Sequence, residues 1–214
     1  MSQRIVYLEE MAEIIPEVQN ELVHISHFKI DQNQKLRMMI QAASGNSEAY
    51  TNPERKYTRL IVNRGTAENP RWTLMMTDTD MERNTNYRFL GAAEGDVMVA
   101  GLGIAMIIIP LLAKKSVTSI TIIEKFQGVI DAVGPNLPTD PRIKIIQADI
   151  DTYVPPKGTL WDTIYFDIWP DRNADNIEHI NRLHRTFRKY KRTKESWMGS
   201  WYHEELKYHR KRGD

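Results

Sequence analysis

The chain has 214 residues, 41% of them apolar and 27% charged, with a net charge of +1 at pH 7 and no cysteine. That length predicts one domain with at most a small appendage, and the apolar fraction is enough for a real core. The missing cysteines exclude disulfides, thiolate metal sites and a cysteine nucleophile, and they fit a reducing compartment, so a cytoplasmic location is expected.

The elements are read in chain order. Residues 5–20 predict an amphipathic helix whose end Pro16 disturbs. Acids interrupt the apolar residues there, so the segment lacks the h-region of a signal peptide. Val23–Phe28, Leu36–Ile40, Tyr57–Val62 and Trp72–Met76 read as strands, separated by turn-rich stretches such as Ser44-Gly-Asn46 and Glu68-Asn-Pro70. They predict an N-terminal antiparallel sheet. Thr79-Asp-Met-Glu82 has the spacing of a capping box and predicts a short helix to about Leu90. Alternation follows: a strand at 97–100, a helix from about 104, a strand at 118–123, a helix at 126–133, strands at 143–147 and 162–167, and a helix at about 174–190. Strands separated by helices predict parallel βαβ units. The fold expected is therefore α/β: a Rossmann-like, open, mostly parallel sheet flanked by helices, shortened on its C-terminal side, with an antiparallel β-hairpin region in front. The expected divisions are an N-terminal helix and antiparallel strands over 1–90, a Rossmann-like core over 91–192, and a basic helical tail over 193–214.

Val97 to Ala113 carries no charge over 17 residues, the low end of a membrane-spanning length. Gly101, Gly103 and Pro110 break this run and a β-like segment follows at once, so no membrane span is expected. Pro110 predicts a kink or a shortened helix. Charge is unevenly placed. Arg182 to Asp214 holds 11 Lys and Arg against 4 Asp and Glu, a local charge of +7 that leaves −6 on the remainder. The basic tail is read either as a nucleic-acid contact or as a solvated end that aids solubility. Trp197 and Trp201, four apart, would share one face of a helix there, to dock on the core or to stack on bases. The six histidines form no zinc pattern, and no metal site is expected.

The glycine turn after strand 97–100 is the most informative feature. A strand that turns directly into a helix leaves helix-end amides without partners. Gly101 and Gly103 remove the Cβ atoms that would keep a ligand from that backbone, and the helix end favours an anionic group. Glu124 closes the next strand 21 residues after Gly103, where a carboxylate can accept from both hydroxyls of an adenosine ribose. Asp149 and Asp167 end the two strands after it. Acids at the ends of three successive strands line the crevice where open α/β sheets bind ligands, so a nucleoside-type site is expected. The dinucleotide fingerprint requires a third glycine where Met106 stands, which argues against NAD and FAD.

The turn, with Ala105 after the glycines, resembles the Gly-x-Gly-x-Ala form of class I S-adenosylmethionine (SAM) methyltransferases. The resemblance runs through VMVAGLGIAM, ITIIEKF, IKIIQADIDTY and WDTIYFDIWPD, about residues 95–171. It is similar in particular to the polyamine (spermidine) synthase-like branch and to small methyltransferase-like proteins common in phage genomes. It implies SAM as cofactor, with Gly101, Gly103 and Ala105 at its methionine part, Glu124 and Lys125 by the ribose, and Asp149 and Ile150 by the adenine. Asp167 would be both a SAM contact and the catalytic base, and Asp78, Trp169 and Asp171 would face the acceptor. DTDME places Asp78 and Glu82 at a spacing similar to the Asp-Gly-x-x-Gln of polyamine synthases, with Thr79 for the glycine and Glu82 for the glutamine. DIWPD replaces their Asp-x-x-Asp-Pro, and the last three strands of a complete class I sheet are missing. The leading expectation is methyl transfer to an unidentified acceptor. The alternatives are aminopropyl transfer from decarboxylated SAM and a non-catalytic nucleoside- or nucleic-acid-binding accessory protein. A homo-oligomer is also open, since a partner subunit could cover the shortened sheet.

Overall fold

A computed structural model describes residues 10–43 and 54–212. Two sheets organise it. The first is antiparallel, with strands β1 (Val18–Gln19), β2 (Val23–Phe28), β3 (Tyr57–Asn63) and β4 (Trp72–Thr77) in that order. The second is wholly parallel, with β5 (Gly95–Ala100), β6 (Val117–Glu124), β7 (Ile143–Gln147), β8 (Thr163–Phe166) and β9 (Trp197–Ser200) in the order β7-β6-β5-β8-β9. The chain thus builds outward from β5 in one direction and returns to build in the other, so strand order reverses between β5 and β8. That reversal opens a crevice at the carboxyl ends of the strands. The Rossmann-like α/β expectation is met.

β5 is buried on both faces, with Val97, Met98, Val99 and Ala100 fully inaccessible, as a central parallel strand requires. Helix α6 (Gln127–Val133) follows β6 and buries Val129, Ala132 and Val133. Helix α7 (Asn176–Phe187) buries Ile177, Ile180, Leu183 and Phe187, one stripe of an otherwise polar helix, while His184 on its flank is half-buried. Arg192 pins the segment before β9 to the amino ends of the sheet. Its guanidinium bonds Asp162 at 2.8 Å and also reaches Asp96.

Five differences from the sequence reading have physical causes. Leu36–Ile40 belongs to a helix, α2 (Gln32–Ala43), not a strand. Asp31 accepts the Gln34 amide at 2.7 Å, and Gln34 reaches back to the Asp31 amide at 3.2 Å. This capping box starts a run of good helix formers. The expected N-terminal helix is reduced to α1 (Met11–Ile14), and Val18–Gln19 pairs with β2 instead. Residues 5–9 and the Ser44-Gly-Asn46 turn lie outside the described residues. The box at Thr79 does not form. Glu82 turns away from Thr79 to accept the Thr77 amide and hydroxyl at 2.8 and 3.0 Å, and the segment makes two short helices, α3 (Asp80–Thr85) and α4 (Tyr87–Ala92).

After the glycine turn the helix begins late, as α5 (Ile108–Leu112). Pro110 then falls in its first turn, where an amide has no helical partner to lose. Finally, Trp197 is in a strand rather than a helix. β9 adds to β8 in parallel register, Thr163 opposite Trp197 and Phe166 opposite Ser200. The sheet therefore has five strands, one more than was expected. Trp197 packs with the stacked Phe89–Tyr165 pair. Helix α8 (His203–Arg212) follows. No helix among the described residues is long and apolar enough to cross a membrane.

Candidate active site

A cavity of about 670 Å³ lies at the carboxyl ends of β5, β6, β7 and β8, and β3 and β4 wall its other side. It brings together Gly101, Gly103, Glu124, Lys125, Asp149, Ile150, Asp167, Trp169 and Asp171 of the expected residues. Asp78 and Ala105 are not in its wall.

The turn after β5 is built on backbone conformations that favour glycine. Gly101 has φ 101°, and a Cβ there would come within 2.2 Å of the Asp167 carbonyl oxygen. Gly103 has φ 53°, and its Cβ would strike the Met76 sulfur at 2.2 Å. At Gly101 the obstacle is backbone and glycine is required, whereas at Gly103 it is the movable end of Met76 and the left-handed φ is the main constraint. Ala105 also has positive φ, 64°, and is fully buried. It shapes the turn from the core side.

The turn does not offer its amides to an anion, contrary to expectation. The Leu102 N–H donates to Glu124 at 2.8 Å, and the Ile104 N–H points at the Met76 sulfur at 3.3 Å. Because α5 starts four residues later, no helix end is aimed at the cavity from this turn. Glu124, only 5% exposed, also accepts the Phe126 amide at 2.8 Å. Burial pushes its carboxyl up, against the pull of these amides. The Lys125 and Gly103 amides pull on the same carboxylate, so Glu124 is held firmly against the turn.

At the next strand end Asp149 pairs with Lys125 at 2.7 Å and accepts the Asp151 amide at 3.0 Å. Lys125 holds its carboxyl below the usual range. Ala148 and Ile150 supply apolar wall beside it. Trp169 is 7% exposed and donates its indole N–H to His179 Nδ1 at 3.3 Å, while His179 Nε2 lies 2.8 Å from Asp151. Trp169 is therefore fixed on the wall by a chain that ends in a carboxylate. Asp171 accepts from the Asn173 amide and the Asn176 side chain, so its carboxylate also ties the loop before α7.

Asp167 differs from these. Burial alone raises its carboxyl to about 7. Glu82 is its electrostatic neighbour, pushed up to about 8 by burial and by the negative charges of Asp167 and Asp78, despite the two Thr77 bonds. Glu82 was read as a helix cap and as the counterpart of the polyamine-synthase glutamine, but it was not among the expected site residues. Met76 and Trp201 were missed too. Trp201 follows β9, joins the cavity wall, and donates its indole N–H to Thr85 at 2.9 Å. The missing signal was the short strand that carries it there.

Asp78, expected near the acceptor, is fully buried in the structural frame. It accepts the Thr58 amide at 2.6 Å and pairs with Arg55 and Arg83, each at 3.1 Å. Its charge is spent on two guanidiniums, which is why it is not available to a ligand. The cavity is nevertheless acidic. Glu82, Glu124, Asp149, Asp151, Asp167 and Asp171 line it against the cations Arg64, Lys125 and Arg172. No group of three or more metal-ligating side chains occurs among the described residues.

No family model and no curated protein matches this chain. Solved structures similar to it include spermidine synthase from Thermotoga maritima, at 18% identity and TM-score 0.42, over 66% of this chain and 53% of that one. A methyltransferase of Podospora anserina bound to S-adenosylhomocysteine (SAH) matches at 10% identity and TM-score 0.42, over 76% and 58%. A SAM-bound amino pentose methyltransferase from Micromonospora echinaspora matches at 13% identity and TM-score 0.32, over 41% and 35%. The chain spans about half the length, or less, of these proteins, and the likeness is one of fold.

Proposed function

We propose that this chain binds SAM in the acidic cavity and transfers its methyl group to an amine. The observation that carries the reading is the arrangement of carboxylates around the Gly101–Gly103 turn. Glu124 is buried beside the turn, Asp149 stands at the next strand end, and half-buried Asp167 lies across the turn with its carboxyl raised to about 7 by burial. SAM, when bound, supplies an electrophilic methyl on a sulfonium. The chain supplies the rest. The glycines let Asp167 and Met76 close on the turn, Glu124 accepts from the ribose hydroxyls, and Asp149 with Ala148 and Ile150 borders the base. An excess of carboxylates favours a cation over an anion, and this disfavours the pyrophosphate of a dinucleotide. Asp167, raised toward neutral pH, is placed to accept the proton that an attacking amine must lose. Holding the amine beside the donor, away from water, is the main source of rate in such a reaction.

Calorimetric titration with SAM, SAH, decarboxylated SAM and NAD tests the reading. SAM and SAH should bind and NAD should not. Decarboxylated SAM binding well above SAM would replace methyl with aminopropyl transfer. Binding of none of the adenosyl ligands would remove the proposal.

A further inference from the structure

A second groove, of about 540 Å³, shares no residue with the acidic cavity. Asn181, His184 and Arg185 of α7, Arg188 and Lys191 just after it, and Met198 of β9 line it. Its wall holds three cations and no carboxylate. Several cations elsewhere are neutralised: Arg83 by Asp78, Arg142 by Asp140, Arg182 by Asp151 and Arg192 by Asp162. Arg185 and Arg188 are exposed and make no ion pair with any described carboxylate, and the Lys191 ammonium reaches only the Lys194 carbonyl oxygen, at 2.6 Å.

Asn181, Arg185 and Arg188 recur at intervals of four and three, so they form one row along about 10 Å of helix, which Lys191 extends. Like charges held in a row repel one another, and a linear polyanion relieves that cost. Guanidiniums suit phosphate because their N–H groups form a planar fork. A lipid surface fits less well. A membrane-docking helix turns its apolar stripe outward, whereas Ile177, Ile180, Leu183 and Phe187 of α7 are buried against the sheet.

We propose that the α7–β9 groove binds the phosphodiester backbone of a nucleic acid, without reading its bases, through Arg185, Arg188 and Lys191. This does not depend on the SAM reading. The test is fluorescence anisotropy with a short labelled single strand and the matching duplex, between about 50 and 200 mM salt. Three contacts predict a log–log salt slope of about −2 for the single strand and nearly −3 for the duplex. Arg185→Ala/Arg188→Ala/Lys191→Ala should weaken binding at least tenfold at low salt and flatten the slope. Lys157→Ala, on an exposed loop elsewhere, should change neither. Arg185→Glu alone, at an exposed position, should also weaken binding. A parent that binds neither strand, or variants that bind like the parent, would overturn the proposal. So would binding to phosphatidylserine vesicles without binding to either oligonucleotide.

Discussion

The two ends of the acidic cavity carry similar residues in opposite circumstances. At the β6–β7 end every carboxylate has a partner: Glu124 holds the Leu102 and Phe126 amides, and Asp149 holds Lys125 and the Asp151 amide. At the β8 end Asp167 has no cation beside it among the described residues, and Glu82 faces it with a carboxyl raised to about 8. A carboxylate held by amides or by a lysine is fixed in place, which suits binding. Two half-buried carboxyls, raised chiefly by desolvation to about 7 and about 8, hold protons near neutral pH, which suits proton transfer or the capture of a cation. The contrast assigns different work to acids that the sequence presents alike, one at each strand end.

Three substitutions probe this division. The largest effect is expected from Asp167→Asn, which keeps size and removes the charge. Transfer should fall by about 10²-fold or more, with SAM affinity within a few-fold of the parent. Equal rates in parent and variant, followed with an amine acceptor, would exclude Asp167 as the base and erase the functional difference between the two ends. Glu124→Ala should remove charge-assisted bonds to the ribose and cost SAM binding about 1.5–3 kcal/mol. Calorimetry reads this directly, and an unchanged affinity would mean that Glu124 serves only the glycine turn.

The smallest effect concerns stability. A carboxyl whose folded value lies above its ordinary 4.5 favours folding most while protonated, and that advantage is lost as pH rises through about 8. Glu82→Gln should therefore flatten the decline in Tm between about pH 5 and 8, with a gain on the order of 1 kcal/mol at the upper end. Thermal melts over that range that run parallel in parent and variant would show that Glu82 is no different from the acids at the β6–β7 end.

Much of this site was legible in the sequence, for an identifiable reason. The glycines and the strand-end acids are local features: each depends on one strand stopping and the chain turning, and strand ends are marked by the change from apolar to polar residues. Glu124, Asp149 and Asp167 were found in that way. The residues that were missed depend on contacts distant in sequence. Met76 meets the turn from β4, Glu82 reaches the cavity only because it bonds back to Thr77, and Trp201 arrives with a four-residue strand too short to announce itself. Asp78 failed in the other direction. An acid beside a motif looks like a ligand contact until Arg55 and Arg83 are seen to claim it. In the fold, α2 was misread because Leu36, Met39 and Ile40, which suggest a strand, are exposed on a helix. The capping box at Asp31 was the better signal.

The strand order has a consequence for how the cavity is made during synthesis. β5 is the innermost strand of its sheet and the first of that sheet to leave the ribosome, and β6 and β7 can settle against it while the rest is still being translated. β8 then joins the opposite side, bringing Asp167. The wall holding Trp201 is complete only after β9 has paired with β8 and Arg192 has locked onto Asp96 and Asp162. A nascent chain can thus possess the glycine turn and all three strand-end acids while one side of the cavity is still open. Closing that side is therefore the last step in building the cavity.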